Sequence, residues 1–158
     1  MSTAQNKQHE EISEKLRNLS KDQRHVLKKI CVEVEQHYGT VAAIYNDLVS
    51  DWIVMAHDER GRAIEVEFDH PFRTLATGLD RDLPVILANT AENPFFHEYV
   101  KTTKVKYHFL ALVSLKSCSG LRFGRLAMAD LDPRPKFGLN DTDFFVEAGQ
   151  RIVKVLEI

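Results

Sequence analysis

The chain has 158 residues, with 21 Lys or Arg against 23 Asp or Glu, so its formal net charge is −2. That length suits one domain whose core folds without disulfides or metal. The balanced charge argues against a nucleic-acid-binding face, which needs a strongly basic surface. No apolar run is long enough to cross a bilayer, and the polar N-terminus is not a secretory signal. We therefore expect a cytoplasmic protein with neither nucleic acid nor membrane as a partner.

The N-terminal quarter predicts two helices. The first seven residues are polar and are expected to be disordered. From Gln8 to His37 the apolar residues recur at steps of four and three, which is typical of a helix. Ser20–Gln23 reads as a capping box that starts a new helix. We expect that second helix to span Lys21–His37 and to end at Gly39.

The apolar positions of these two helices form a short heptad-like seam, and its members are Ile12, Leu16, Leu19, Val26 and Ile30. Gln23 occupies one slot of the seam, and Glu33 limits how far it runs. Such spacing suits pairing with another helix or with a second subunit. The seam therefore predicts a homodimer formed through the N- and C-terminal helices.

Strand patterns fill the middle of the chain. Apolar or alternating runs predict strands at residues 41–45, 52–56, 63–68, 84–88, 107–115 and 121–129. Short helices are expected at residues 71–78 and 95–102.

The final helix is predicted to begin with Asn140 as its N-cap, followed by Asp141 and Asp143 in the first turn. It is still amphipathic at Leu156, and no glycine or other cap follows. This pattern is typical of a helix interrupted before a downstream output domain.

Helices at both ends and five or six strands between them predict an α+β domain. We expect an antiparallel sheet with the helices from both termini packed on one face. Residues 1–19 form a tail and a short helix, and residues 20–158 form the domain itself.

One strand and turn carries a motif. A strand reading G-x-L-x-M-x-D leads into a Pro-Arg turn, an aromatic residue and an acidic helix start, at Gly124, Leu126, Met128, Asp130, Pro133, Arg134, Phe137 and Asp141. This segment resembles the late strand of GAF domains, although Pro135-Lys136 adds one residue before the aromatic. The resemblance covers roughly residues 20–158. It implies a GAF/PAS-like sheet with a ligand cavity, roofed by a segment between two mid-chain strands.

The resemblance also implies a class of function. Most GAF domains are sensory, so the chain is expected to bind a small molecule and to signal through its terminal helices, rather than to act as an enzyme. The signatures of the cyclic-nucleotide, bilin and methionine-sulfoxide-reductase branches are absent, and the ligand stays unidentified. The alternatives are a ligand-free dimerisation or protein-interaction module and, with less support, an enzyme acting on an oxidised small molecule.

Two groups of residues are candidates for ligand contacts. Phe96, His97 and Tyr99 lie where the family places its cavity roof, and with Phe109 they suit a flat or heterocyclic ligand. Each aromatic residue alone also fits an ordinary core position. Asp130 and Arg134 form the second group.

The Asp130–Arg134 pair has two interpretations. It could contact a polar ligand or a partner. Alternatively, the carboxylate accepts from backbone N–H groups of the turn while the arginine packs across the loop. We prefer the second interpretation, because acids that fix turns in this way are common.

Neither the histidines nor the cysteines predict metal or nucleophilic chemistry. The seven histidines form no His-x-x-x-His pair or tight acidic cluster, so we expect no metal, and a haem ligand from His97 or His108 is the weaker alternative. Cys31 and Cys118 match no zinc or disulfide pattern. Ser117-Cys118-Ser119 offers nucleophiles, but with no base partner identifiable from the sequence it reads as a polar turn.

Overall fold

The computed structural model describes residues 3–57, 63–64, 83–93 and 107–158, with residues 57, 63 and 64 described by their backbone alone. These ranges contain three α-helices, a five-stranded antiparallel sheet and a separate two-stranded ladder. The expected α+β architecture is confirmed.

Two of the helices are N-terminal: α1 spans Thr3–Arg17 and α2 spans Lys21–Tyr38. The predicted capping box separates them. The backbone N–H of Gln23 donates to Ser20 Oγ at 3.0 Å, and the backbone N–H of Ser20 donates to Gln23 Oε1 at 2.9 Å. Gly39 ends α2 with φ of 67°, a left-handed conformation that glycine adopts with least strain.

The strands are β1 Val41–Asn46, β2 Asp51–Val54, β3 Ala56–His57, β4 Ala63–Ile64, β5 Val85–Leu87, β6 Phe109–Lys116 and β7 Arg122–Asp130. The order in the main sheet is β2-β1-β7-β6-β5, and β3 pairs with β4 in the small ladder. The last strand therefore lies in the centre, paired with β1 from Val41↔Ala129 to Asn46↔Gly124.

The helix α3, Asp143–Leu156, returns to the same face of the sheet as α1 and α2. This helix-side face carries the large apolar side chains of the strands, among them Phe109, Leu126 and Met128, all less than 2% exposed. The helices contribute the other half of this core, with residues Ile12, Leu16, Leu27, Ile30, Cys31, Val34, Phe145, Ala148, Ile152 and Leu156. Helices from both termini therefore cover one face, as predicted.

The N-terminal expectations need two corrections. Helix α1 already begins at Thr3, so residues 3–7 are helical rather than disordered. Most of the seam is also buried inside the domain and is not free to pair with a second subunit. Ile12, Leu16 and Ile30 are buried in the domain's own core, while Val26 is 38% exposed. The turn before Lys21 resets the helical phase, so that Leu27 rather than Val26 faces inward.

The end of the chain differs from the prediction as well. Asn140 lies in a short 3₁₀ turn, Leu139–Asp141, and the cap position of α3 is Thr142. One free N–H of the first helical turn, at Phe145, instead donates to the Tyr38 hydroxyl at 3.0 Å. Helix α3 then ends at Leu156, where Glu157 adopts a left-handed φ of 56° and its N–H donates to the Lys154 carbonyl.

Candidate functional site

The face of the sheet that points away from the helices is built differently. Cross-strand pairing aligns four side chains on it, one from each of four neighbouring strands: Trp52, Tyr45, Arg125 and Ser114. We call this set the anchor row. The Trp52 and Tyr45 rings meet edge to face, with centroids 5.1 Å apart.

Beside the anchor row the central strands carry small side chains. Ala43 on β1 lies opposite Ala127 on β7, and Ala129 follows on the same face. We call these three residues the alanine patch. Larger residues, Leu110 and Leu112 on β6, border it, and all five are at most 4% exposed. The patch is therefore a buried surface of small side chains on this face of the sheet.

The space directly over this surface is small in the part of the chain that the structure describes. Among the residues around it are Val41, Ala43, Ala56, Ala127 and Ala129, and the gap that they line has no room for a water molecule. Ligand cavities typically measure about 300–1,000 Å³. The predicted roof residues Phe96, His97 and Tyr99 lie outside the described residues.

The predicted site residue Phe109 is described, and it lies on the helix-side face. It is fully buried and its ring meets the Phe137 ring edge to face, with centroids 5.0 Å apart. Its neighbours there are the helices and not the alanine patch.

Asp130 and Arg134 are brought together in a corner at the end of β7. Arg134 Nε and Nη2 donate to Asp130 Oδ2 at 3.0 and 2.8 Å, and Nη2 also donates to the Gly39 carbonyl at 3.2 Å. The Arg134 amide N donates to the Ala88 carbonyl at 2.8 Å, and its guanidinium lies 5.4 Å from the centre of the Phe109 ring. These contacts engage both residues in joining α2, β5 and β7, as the turn-fixing interpretation expects.

A second buried ion pair has no counterpart among the sequence predictions. Arg125, on the anchor row, is 2% exposed, and its Nε donates to Asp47 Oδ2 at 3.0 Å. Its Nη2 lies 2.9 Å from Asp47 Oδ1, close enough for an ion pair but without the alignment of a hydrogen bond. Nη1 of the same guanidinium has no hydrogen-bond partner. Arg125, one of two arginines in the otherwise apolar run 121–129, was the signal in the sequence that could have revealed it.

The glycine of the strand motif has a packing role. A Cβ at Gly124 would lie 2.5 Å from the Tyr45 carbonyl oxygen, so a side chain there would push β7 away from β1. The motif residue thus permits the close approach of the two central strands. The alignment of Tyr45 with Arg125 depends on this close approach of the strands.

The histidine, cysteine and serine residues considered in the sequence analysis make ordinary structural contacts where the structure describes them. The His108 Nδ1 lies 2.8 Å from the Leu131 carbonyl. Burial, with a smaller contribution from Glu35, raises the pKa of the Cys31 thiol to about 12, so this residue is an apolar core residue as expected. Ser117 Oγ accepts from the Leu121 N–H, and Cys118 is an exposed residue of the turn.

No helix within the described ranges is both long enough and apolar enough to span a membrane. Three or more His, Cys, Asp or Glu residues placed to hold a metal ion are likewise not found among the residues that the structure describes.

Comparison of the sequence with known proteins is uninformative, since no family model and no curated protein matches it. Comparison of the fold is informative. The GAF domain of a phosphoenolpyruvate-protein phosphotransferase from Coxiella burnetii superposes with a TM-score of 0.63 at 16% identity, covering 99% of this chain and 95% of that one.

Two further solved structures share the architecture. The PixJ GAF domain of Thermosynechococcus elongatus, in its blue-light-absorbing form, has a TM-score of 0.63 at 14% identity and covers 86% of this chain and 85% of its own. Free methionine-R-sulfoxide reductase from Neisseria meningitidis has a TM-score of 0.59 at 15% identity, covering 94% of this chain and 86% of that one. At such identities the likeness concerns the fold. With the strand motif, the sheet order and the helix layer all in agreement, the chain has the fold of a GAF domain.

Proposed function

We propose that this protein is a cytoplasmic sensory or regulatory GAF domain, not an enzyme, that binds a small molecule on the face of the sheet opposite the helices. The observation that carries the proposal is the contrast on that face between the small side chains of the alanine patch and the polar end formed by Arg125. Apolar concavities with a few polar groups are the usual form of ligand sites.

Signalling through the helices follows from the same sheet. β1, which carries Ala43 of the alanine patch, contacts α2 on the other face, and β6, whose Leu110 and Leu112 border the patch, contacts α3 there. A ligand that displaces these strands would change the packing of the helices, provided that it binds one arrangement more tightly than the other. A downstream output domain would read that change.

The void over the alanine patch supports a second candidate function. It has no room for a water molecule, so side chains alone could fill the face. The domain would then be a ligand-free dimerisation or protein-interaction module. A ligand-binding domain and a packed module predict different masses for the purified protein.

Native mass spectrometry of the full chain purified from cells tests this difference. The sensory proposal expects a bound small molecule, and Ala127→Leu, which fills the patch, is expected to abolish its retention. Ala91→Leu places the same side chain at an exposed position and serves as the control. If the wild type has the mass of the polypeptide alone, and Ala127→Leu also carries no small molecule, the result favours the ligand-free dimerisation or protein-interaction module.

We further propose that the terminal helices form a homodimer, although three members of the seam first expected to mediate it, Ile12, Leu16 and Ile30, are buried. Val26 is the exposed member of that seam, and it is 38% exposed on α2. Val26→Lys is then expected to convert a dimer to a monomer in light-scattering measurements, while Val49→Lys, at a 50% exposed loop residue, leaves the mass unchanged. A monomeric wild type would contradict the dimer.

A further inference from the structure

The joint between α1 and α2 is three residues long, Asn18, Leu19 and Ser20, and it holds neither glycine nor proline. The last helical hydrogen bond before it runs from the Asn18 N–H to the Glu14 carbonyl at 3.1 Å. The first one after it runs from the Arg24 N–H to the Ser20 carbonyl at 3.0 Å. The capping box at Ser20 therefore separates the two helices, and every residue of the joint is one that a helix can accommodate.

The apolar seam continues through this joint without a change of step. Its members follow one another at steps of four and three on both sides of the joint: Ile12, Leu16, Leu19, Gln23, Val26 and Ile30. In the structure the break at the joint divides them, since Leu19 is half-buried and Val26 is 38% exposed. In one unbroken helix all six would lie on a single stripe. The spacing therefore suits a continuous helix better than the separated pair.

Helix α1 is seated against the end of α3 and the turn between β6 and β7. Ile12 and Leu16 insert into the core and are 5% and 4% exposed. Lys15 Nζ donates to a carbonyl just after the end of α3 at 2.8 Å, and Gln8 Nε2 donates to Ser119 Oγ in the turn. The α1 of a second copy of this chain could make every one of these contacts equally well.

The joint itself is not closely packed. An open groove of about 460 Å³ lies beside it, between α1, the start of α2 and the end of α3, and its lining includes Leu19, Gln23 and Leu156. Close packing resists rearrangement, whereas open space at a joint lets the chain change direction there.

We infer that two copies of this chain exchange α1. In the exchanged dimer α1 and α2 form one continuous helix, and Ile12 and Leu16 of each copy fill the seat on the other. This inference rests on the homodimer of the proposed function, since it names the contact that holds the two copies together.

The exchange costs little because it repeats contacts that a single chain already makes. The burial of Ile12 and Leu16 is kept. Each chain loses the capping box at Ser20 but gains helical hydrogen bonds across residues 19–23. Leu19 and Val26, which the separated helices leave partly exposed, can then pack against the other copy.

Cross-linking shows which chain supplies α1. Gln8→Cys and Ser119→Cys, combined with Cys118→Ser, place two thiols at side chains that touch, and Cys31 is buried. A short bismaleimide is added to the dimer isolated by gel filtration. The exchange expects a product with the mass of two chains on a denaturing gel, and a single-chain product overturns it. Each single cysteine variant is a control, since neither alone should give the two-chain product.

Lys21→Pro separates the exchanged dimer from any other dimer. Lys21 is the first residue of α2, where proline is favoured, and Ser20 before it is extended with φ of −66° and ψ of 160°, as a residue before proline prefers. In a continuous helix the same proline lies in the interior and breaks it. Lys21→Pro should therefore raise the dimer dissociation constant by more than about 100-fold in sedimentation measurements. Lys21→Ala, which suits both forms, is the matched control.

Ser20→Ala should act in the opposite direction, because it removes the capping box from the separated helices alone. The loss is about fivefold for each chain, so the dimer dissociation constant should fall about 25-fold. An unchanged or raised constant contradicts the exchange.

The exchange and the homodimer fail in different ways. A dimer that persists in Lys21→Pro and cross-links within one chain refutes the exchange and leaves the homodimer standing. A wild type that stays monomeric at every concentration refutes both. The cross-linking result does not depend on whether Lys21→Pro folds.

Discussion

The two faces of the central sheet are made by the same strands, yet they differ in side-chain size and polarity. On the helix-side face, Phe109, Leu126 and Met128 meet three helices in a closed apolar core. On the opposite face the same strands present alanines and one incompletely satisfied arginine. Large interlocking side chains stabilise a fold, whereas small ones with a fixed polar group leave room for recognition. The comparison therefore separates residues that close the core from residues that we propose to bind a ligand, and it can be tested.

The largest expected effect concerns how tightly the helix-side face is closed. A Cys31 thiol with a pKa of about 12 has roughly 10⁴-fold less thiolate at pH 8 than at full ionisation. Cys118, which is exposed, should react at once with an aromatic disulfide reagent, and Cys31 only after unfolding. Cys118→Ser should leave no fast-reacting thiol. Rapid reaction of two thiols in the native wild type would show that this face is open.

Truncation inside the same core should have the next largest effect. Phe145 is fully buried, so Phe145→Ala is expected to lower the free energy of unfolding by about 3–5 kcal/mol in urea titrations. The neighbouring Phe144, half-buried and stacked on His37 with ring centroids 4.2 Å apart, is a matched control with a smaller expected loss. Equal losses for the two variants would mean that α3 docks differently.

The corner formed by Asp130 and Arg134 lies at the end of β7 and should have an intermediate effect. Arg134→Ala removes hydrogen bonds to Asp130 and to the Gly39 carbonyl, and we expect a folded protein destabilised by about 1–3 kcal/mol. A double-mutant cycle with Asp130→Asn should show that the two losses are coupled. If Arg134→Ala instead keeps full stability and loses ligand retention, the corner belongs to the binding side of the comparison.

The smallest effect is expected on the outer surface of the helices. Arg151 donates a hydrogen bond to Glu33, and this contact lowers the pKa of the Glu33 carboxyl. The resulting stability is present above the ordinary pKa of glutamate and is lost as the pH falls through the lowered value. Because both side chains are about a third or more exposed, Arg151→Met should destabilise the protein by less than about 1 kcal/mol at pH 7.

Urea titrations across pH check this last expectation. The difference between wild type and Arg151→Met should shrink as the pH falls below the ordinary pKa of glutamate and should vanish once the Glu33 carboxyl is protonated in the folded protein. A difference that persists after that protonation would show that Arg151 acts through packing rather than through charge.

Local patterns predicted much of the fold because their causes are local. The Ser20 capping box and the Gly39 stop involve residues three or four positions apart, and the apolar runs 107–115 and 121–129 identify the central strands. Helical phase was less predictable. The seam through Val26 assumed one continuous periodicity, whereas the turn before Lys21 rotates α2 so that Leu27 faces the core.

The site was harder to predict because its contacts are distant in sequence. Arg125 and Asp47 are 78 positions apart, and no pattern of spacing joins them. The Tyr38 hydroxyl that receives the Phe145 N–H lies 107 positions away, which is why Asn140 seemed the better cap. The Asp130–Arg134 pair, four positions apart, was identifiable from sequence together with its turn-fixing role. Phe96, His97 and Tyr99 stay predictions.

The central position of β7 in the sheet affects how the chain folds. Since β1 completes its pairing only when β7 arrives, the middle of the sheet forms from opposite ends of the polypeptide. On the ribosome, the apolar sides of α1 and α2 emerge long before the strands that will cover them. Strand pairing that is non-local and late slows folding, and it leaves apolar surface exposed to chaperones and to other nascent chains. During synthesis, the seam residues Ile12, Leu16 and Ile30, which are buried in the folded domain, are exposed and can pack against the wrong partner.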